Sequence, residues 1–418
     1  MLIEFSVKNF RSFRELQTLS MAAGRGRELS ATNSFDSRTP GIPRLLRSTA
    51  IYGANAAGKT NLIKALQFVQ QLVINSASAS PGSKVPYAPF NFSRITRTQP
   101  SEFTITFVEG GIRYEYGFKL NGSRILEEWL LEYVTARPRQ LFERVYQEKT
   151  EDYKWQFSSF LKGRRSVWSE TTKPNSLFLS TASQLNSRQL LPVFEWFKKR
   201  LVIILSGSPM NPGLTVQLLD KPDGKEKLLP FLREADLAID DVQMHREVFP
   251  GTGAMLLPGA FIEQNPNSSP RVVQFTFTHT GSDKQSPPLA LAEESSGTQI
   301  LFYTAGAWLN VFANAEVLFF DEIDTSLHPL LTHFLIQKFH SNKANPNNAQ
   351  LIFTTHNTTL LDRSLFRRDQ IWFAEKDRVG ATKLYSLAEF KIREDEALDK
   401  WYLRGRYGAL PILDETSP

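Results

Sequence analysis

The stretch "GANAAGKT", Gly53 to Thr60, has glycine or alanine at five of its first six positions and ends in a lysine and a threonine. It fits G-x-x-x-x-G-K-[ST] at every fixed position. Small residues let backbone N–H groups wrap a phosphate, and the positive end of a following helix adds to the attraction. Lys59 can reach the outer phosphates and the Thr60 hydroxyl can ligate Mg²⁺. The expected nucleotide contacts are Gly53, Ala54, Asn55, Ala56, Ala57, Gly58, Lys59, Thr60 and Asn61. A phosphate cradle needs an acidic partner for its metal, and "VLFFDE" delivers Asp321 and Glu322 to the end of an apolar run. Asp321 is placed to hold Mg²⁺, directly or through water, and Glu322 to orient or deprotonate an attacking water. "LIFTTH" repeats the arrangement, with His356 at its end. An imidazole beside a γ-phosphate can donate a hydrogen bond that exists only while the triphosphate is intact. A fourth stretch, "ESSGTQ" from Glu294 to Gln299, is polar and small, buries almost nothing, and stands directly before the apolar "ILFYTAGAWLNVF".

These residues need a frame. The apolar "STAIY" before the glycine loop and the recurrence of Leu62, Leu66 and Val69 after it predict strand, loop, helix. The C-terminal third reads strand, helix, strand through "AEVLFFDE", "LLTHFLIQKFH", "NAQLIFTTH" and "DQIWFAE". Apolar strands alternating with helices predict a sheet covered on both faces, an α/β core. The N-terminal "LIEFSVKNF" predicts a strand with Ile3, Phe5 and Val7 on one face. From Glu102 to Val134 the period is two, with Phe103, Ile105 and Phe107, then Ile112, Tyr114 and Tyr116, separated by "GG" and "NG" turns. That pattern predicts an antiparallel meander. Between about Arg137 and Glu263 the pattern is mixed, with helices expected near "RQLLPVFEWFKKR" and "KEKLLPFLREADL", and "RVVQFTFTHT" then restores strand character. "REDEALDK" reads as a solvated surface helix.

Composition bounds the alternatives. The chain has 418 residues, 41% hydrophobic and 22% charged, which suits two or three globular lobes and excludes a disordered chain. No stretch approaches the roughly 18 apolar residues of a membrane helix, no signal peptide is read, and a cytoplasmic protein is expected. The absence of cysteine excludes disulfides and thiolate metal sites. A net charge of +6 leaves room for an acidic partner such as DNA. The basic residues come in scattered clusters, such as Arg164 and Arg165 or Lys198 to Arg200, each read as solvated surface.

In their order along the chain, "GANAAGKT", "ESSGTQ", "VLFFDEID" and "LIFTTH" resemble the ABC-type ATPase head shared by SMC, RecF and Rad50 proteins, with "ESSGTQ" similar to its signature motif. The resemblance implies ATP and Mg²⁺ as cofactors and a head-to-tail homodimer, or a higher oligomer built from such dimers. In that dimer Ser295, Ser296 and Gly297 of one subunit would contact the phosphates held by another. "VKNFRSF", "DEIDTSLHP", "HNTTLLD", "RRDQIWFAEKD" and "YLRGRYGALP" resemble more narrowly the overcoming-lysogenization-defect type, particularly RloA and AbiL-like ATPases of phage defence. This implies that Arg11 approaches the nucleotide from the first strand and that Asp324 to His328 meet their counterpart across the dimer. It also implies an abortive-infection switch triggered by a phage protein and gating a separate effector, such as a Toprim-like or RloB-like nuclease, because no acidic Toprim cluster follows Glu322. The alternative is a DNA-binding repair ATPase of the RecF kind. The expected fold is a P-loop NTPase in which residues 1–136 and 264–418 form the two halves of an ABC-type head around a mixed insertion at 137–263.

Overall fold

The structure is a computed structural model and describes residues 1–207, 212–235, 237–249, 259–264, 269–279, 287–325, 327–393 and 396–411. Two compact units emerge. The first comprises Met1–Ser206, Ala315–Ile323 and Ile336–Pro418, the second Gly207–Asn314 and Asp324–Leu335. In chain order the first unit opens with β1 (Leu2–Lys8), β2 (Gln17–Ser20), α1 (Ser30–Asn33), β3 (Ser34–Thr39), β4 (Ile42–Leu46), β5 (Ser48–Tyr52) and α2 (Lys59–Asn75). The meander follows as β6 (Ser101–Glu109), β7 (Ile112–Leu120), β8 (Ile125–Tyr133), β9 (Arg139–Gln147) and β10 (Asp152–Phe157). Three short helices, α3 (Arg165–Thr171), α4 (Phe178–Gln184) and α5 (Leu191–Glu195), lead to β11 (Leu201–Ile204). The second unit holds α6 (Gly213–Leu219), α7 (Gly224–Glu234), β12 (Ile239–Val248), β13 (Phe261–Glu263), β14 (Arg271–His279), β15 (Leu289–Ala290) and α8 (Ser296–Asn314). The remaining elements are β16 (Val317–Phe320) of the first unit, α9 (Pro329–His340), which begins in the second unit and ends in the first, and β17 (Gln350–Thr354), β18 (Ile371–Lys376), β19 (Thr382–Ser386) and α10 (Leu398–Leu403) of the first.

The first unit contains the expected α/β core of a P-loop NTPase. Its central sheet runs β11-β16-β17-β5-β18-β19, parallel except for β19 at the edge. β5, β16 and β17 are buried along nearly their whole length, which is why "STAIY", "VLFF" and "QLIFT" carry so little that is charged. The antiparallel sheet runs β10-β9-β8-β7-β6-β1-β2, so the meander continues two strands beyond residue 136. Phe68 of α2 lies 5.4 Å from Phe10 and 5.1 Å from Phe103 of the meander, centroid to centroid, and these contacts pack the phosphate-loop helix against that sheet. Gln350, wholly buried, ties the layers: its carbonyl accepts Leu2 N–H at 2.6 Å and its amide donates to the Leu2 and Leu46 carbonyls at 3.1 and 3.0 Å.

The N-terminal strand departs from the simple alternation. The register between β1 and β6 shifts between Leu2 and Glu4, so Ile3 packs with Phe35, Leu45 and Val108 while Leu2, Phe5 and Val7 enter the main core. A bulge adds one residue and turns the side chain before it to the other face. The expectation that Ile3 shares a face with Phe5 and Val7 is thereby corrected. Of "REDEALDK", Glu394 and Asp395 lie outside the described residues, and Leu398, Asp399 and Lys400 open α10.

In the second unit, α8 is held on the β12-β14-β13 sheet by Phe302, whose ring meets Phe275 and Phe277 edge-on at 4.7 and 4.9 Å. α6 crosses α8 so closely at Gly306 that a Cβ there would fall 2.2 Å from Thr215 N. The Thr215 hydroxyl fills the contact, donating to the Phe302 carbonyl at 3.0 Å and accepting Gly306 N–H at 2.9 Å.

Candidate nucleotide site

The glycine loop leaves the end of β5 and enters α2 within six residues, and its backbone needs the two glycines for different reasons. A Cβ at Gly53 would lie 2.3 Å from the Ala374 carbonyl oxygen of β18. A Cβ at Gly58, whose φ is 107°, would lie 2.1 Å from Thr382 Oγ1 of β19. Ala56 adopts a left-handed φ of 61°, an uphill conformation of the kind that accumulates at functional loops. α2 starts without a side-chain cap and without an acid in its first turn, so its leading N–H groups suit an anion. The Lys59 ammonium, only 5% exposed, donates to the Gly53 and Ala54 carbonyls at 2.8 and 3.1 Å and lies 3.0 Å from His356 Nε2. The loop thus forms a cup with its cation inside.

The acidic pair is set by parallel register. β11, β16 and β17 align Ile204, Phe320 and Phe353, so the residues just beyond them converge. Asp321 is 1% exposed, and its Oδ1 accepts Thr354 Oγ1 at 2.7 Å and Thr60 Oγ1 at 3.2 Å. Its Oδ2 is buried and receives no hydrogen bond among the described residues. A buried carboxylate oxygen in that condition costs free energy unless a cation supplies the missing partner. Thr60 Oγ1 and Asp321 are hard oxygen donors side by side, the set Mg²⁺ prefers when phosphates and water complete its octahedron. The residues fit the ion. Among the described residues no group of three His, Asp or Glu forms a self-contained metal cage, which is unnecessary for a cation shared with phosphate. Glu322 has a left-handed φ of 53°; its N–H donates to Thr354 Oγ1 at 2.7 Å and its Oε2 accepts Ser206 Oγ at 2.7 Å.

A family model described as "AAA domain, putative AbiEii toxin, Type IV TA system" matches residues 48–362, from β5 through the loop after β17. The chain belongs to this AAA family. The matched span contains the phosphate loop, "ESSGTQ", Asp321, Glu322 and His356, so the AAA-family chain is a P-loop ATPase by type. Solved structures similar to it include two Smc heads. One is the crystal structure of an Smc head bound to the C-winged helix domain of ScpA, at 12% identity, covering 92% of this chain and 97% of that one with a TM-score of 0.37. The other is an Smc head domain with an extended coiled coil bound to the C-terminal domain of ScpA derived from Pyrococcus furiosus, at 12% identity, 92% and 96% coverage and a TM-score of 0.36. No curated protein sequence matches the chain. No helix among the described residues is long and apolar enough to cross a membrane.

The structure of the AAA-family chain brings Lys59, Thr60, Asp321, Glu322 and His356 to one place. Asn61 turns instead to Ser12, its amide donating to Ser12 Oγ at 2.9 Å. Asn55 and Ala56 are exposed on the loop's crown. Arg11 is exposed, with a left-handed φ of 51° and its guanidinium 5.6 Å over the Phe10 ring; it shares a concavity with Lys64, Gln67 and Tyr87 beside α2. The next residue, Ser12, is the one touching the phosphate-loop region: the Thr382 hydroxyl bonds its Oγ at 2.8 Å and the Ala57 carbonyl at 2.8 Å. Ser295, Ser296 and Gly297 lie in the second unit, at the start of α8. Ser295 Oγ accepts Thr298 N–H at 3.1 Å and so caps the helix, while Ser296 is exposed. Behind them, Glu294 Oε1 lies 2.6 Å from His279 Nε2, and the Ala238 carbonyl holds the other ring nitrogen at 2.7 Å.

Four hydroxyls of the site, Ser12, Ser206, Thr354 and Thr382, escape sequence reasoning. The only signal available for one of them is "FTTH" itself, where a threonine follows an apolar strand beside the acid-bearing one.

Proposed function

We propose that the chain is an ATP-hydrolysing switch whose closed state is a head-to-tail dimer around two molecules of ATP, and that it gates a separate effector in bacterial abortive defence against phage. The observation that carries the hydrolytic reading is the orphaned Asp321 Oδ2 beside Thr60 and the caged Lys59 ammonium. Thr60 and Asp321 would hold Mg²⁺, which neutralises charge on the transferred phosphoryl group. Lys59 moves its donors from loop carbonyls to the outer phosphates. Glu322, its carboxylate fixed by Ser206 and its backbone by Thr354, takes the proton of the attacking water at a carboxylate oxygen. His356 contributes a hydrogen bond to the terminal phosphate.

Ser295, Ser296 and Gly297 supply the second grip in trans, at the exposed start of a 19-residue helix. Arg11 and its concavity flank the ribose or base. Loss of the γ-phosphate then removes contacts made by both subunits and reopens the dimer. The toxin-type description of the family supports the abortive-defence setting. Sizing chromatography with light scattering tests the scheme. Glu322→Gln is expected to accumulate an ATP-dependent dimer while Lys59→Ala stays in the nucleotide-free state. Identical behaviour of the two variants, together with no ATP turnover by the wild type, overturns it.

A further inference from the structure

Residues 158–189 carry Lys162, Arg164, Arg165, Lys173 and Arg188 against the single acid Glu170, so this short span holds a net +4 of the chain's +6. Two of the five cations are turned onto backbone: Arg165 donates to the Ser158 carbonyl, and Lys173 to the carbonyls of Ala77 and Ala79. The other three, Lys162, Arg164 and Arg188, are exposed and line one concavity of about 520 Å³ together with Trp168, Asn186 and Gln189. No carboxylate lines it, and none forms an ion pair with these three cations among the described residues.

The concavity is built by local geometry. Gly163, with φ 112°, lies flat on the Trp168 indole, where a Cβ would fall 2.3 Å from the ring. That allows the chain to carry Lys162 and Arg164 past a buried aromatic floor. Gln189 Oε1 accepts Lys162 N–H at 3.0 Å and ties this loop to the turn that bears Arg188. Asn186, at a left-handed φ of 61°, closes that turn. Three cations gathered on a tied frame repel one another, and an anion of matching size relieves the repulsion without first having to order the loop. Arginine twice among the three favours phosphate, whose oxygens suit the guanidinium fork.

We infer that this concavity is a second anion site that takes the phosphates of a nucleotide, free or within a nucleic-acid strand. It shares no residue with the phosphate loop and goes beyond the switch function proposed above. The test compares the wild-type chain, a Lys162→Ala/Arg164→Ala/Arg188→Ala variant and a charge-matched control, Lys149→Ala/Lys154→Ala/Arg378→Ala, with thermal melting to verify folding. Fluorescence anisotropy with a labelled single-stranded 12-mer reads the strand, and calorimetry with inorganic tripolyphosphate reads the free anion.

If the strand is the source, the site variant loses at least tenfold in oligonucleotide affinity while the control changes less than twofold. The slope of log affinity against log salt then falls by roughly two, for three phosphate contacts at about 0.7 each. If the free anion is the source, the wild type binds one more tripolyphosphate per chain than the variant, and the oligonucleotide does not distinguish them. Equal behaviour of site variant and control toward both probes overturns the inference. Should the triple variant melt early, Arg164→Gln and Arg188→Gln are read singly. Each is expected to weaken binding at least threefold, and no change in either sinks the proposal.

Discussion

Thr354 does more than any other neutral side chain at the site. Its single hydroxyl donates to Asp321 Oδ1 and accepts the Glu322 N–H, so one oxygen sets both acids. Thr354→Val keeps the shape and removes both bonds. Hydrogen bonds to charged groups are worth about 1.5–3 kcal/mol, so turnover is expected to fall by at least tenfold. Because Asp321 is then held only by Thr60, the Mg²⁺ concentration for half-maximal turnover is expected to rise; a fall in kcat at unchanged Mg²⁺ dependence would refute the metal-positioning role. Glu322→Gln preserves the Ser206 contact in size but not in basicity. It is expected to reduce turnover at least a hundredfold, within the usual range of about 10²–10⁴ for a lost general base. Nucleotide affinity, measured by calorimetry, should stay within a few fold.

At the scale of elements, the phosphate loop is shaped from outside by the edge hairpin. Gly58 has the left-handed φ and the Thr382 contact together, so Gly58→Ala adds backbone strain of about 1–3 kcal/mol to a collision. Nucleotide binding is expected to weaken by about a hundredfold. Thr382→Ala in the same chain removes the closest collision but leaves Ser12 Oγ at 2.8 Å and the backbone strain, and should recover part of the loss; full recovery would show that neither the Ser12 contact nor the φ matters. In the second unit the start of α8 is clamped by His279. Burial pulls its imidazole down, but the Glu294 hydrogen bond, the Ala238 carbonyl and the nearby charges of Glu294 and Asp240 outweigh it and leave the pKa raised. A raised folded value means that the clamp's contribution is complete below the ordinary imidazole range and is lost as pH climbs through the folded value. Hydrogen exchange at residues 292–299, corrected for its intrinsic pH dependence, should therefore loosen with rising pH in the wild type and not in His279→Gln.

These elements were unequally legible. β5, β16 and β17 announce themselves because a strand buried on both faces must be a continuous apolar run. The glycine loop is equally plain, since only glycine fits at Gly53 and Gly58. β11 is four residues inside a mixed stretch, and nothing in "LVII" tells that it pairs with β16 and so brings Ser206 to Glu322. The hydroxyls of Ser12, Ser206, Thr354 and Thr382 are common residues whose role comes from register between distant strands, which no local period encodes. The bulge at Ile3 is hidden for the same reason.

Across the molecule, the antiparallel sheet is joined to the helices beside it by a buried charge pair. Glu128 and Arg144 are both fully buried and 2.9 Å apart. Glu128 also accepts the Tyr116 hydroxyl at 2.9 Å and the leading N–H groups of α4, from Phe178 and Leu179, at 2.7 and 3.0 Å. Arg144 donates to the Ser176 carbonyl and lies against Tyr153 and Trp155, yet its Nε and Nη1 are buried and find no hydrogen-bond partner among the described residues. The carboxylate is thus better compensated than the guanidinium. Burial and the Glu128 charge push the Tyr116 hydroxyl well above its usual range, so it donates to Glu128 at all ordinary pH values. Removing one member of a buried pair strands the other, at a typical cost of about 3–5 kcal/mol. Glu128→Gln should cost the full amount, because it leaves Arg144 charged and takes an acceptor from α4. Arg144→Met should cost less, since Tyr116 and the two α4 N–H groups continue to stabilise the carboxylate. Urea unfolding of both variants and of the double variant separates the pair from its surroundings. A larger loss in Arg144→Met than in Glu128→Gln would show that the guanidinium, despite its two orphaned nitrogens, is the member on which the meander depends.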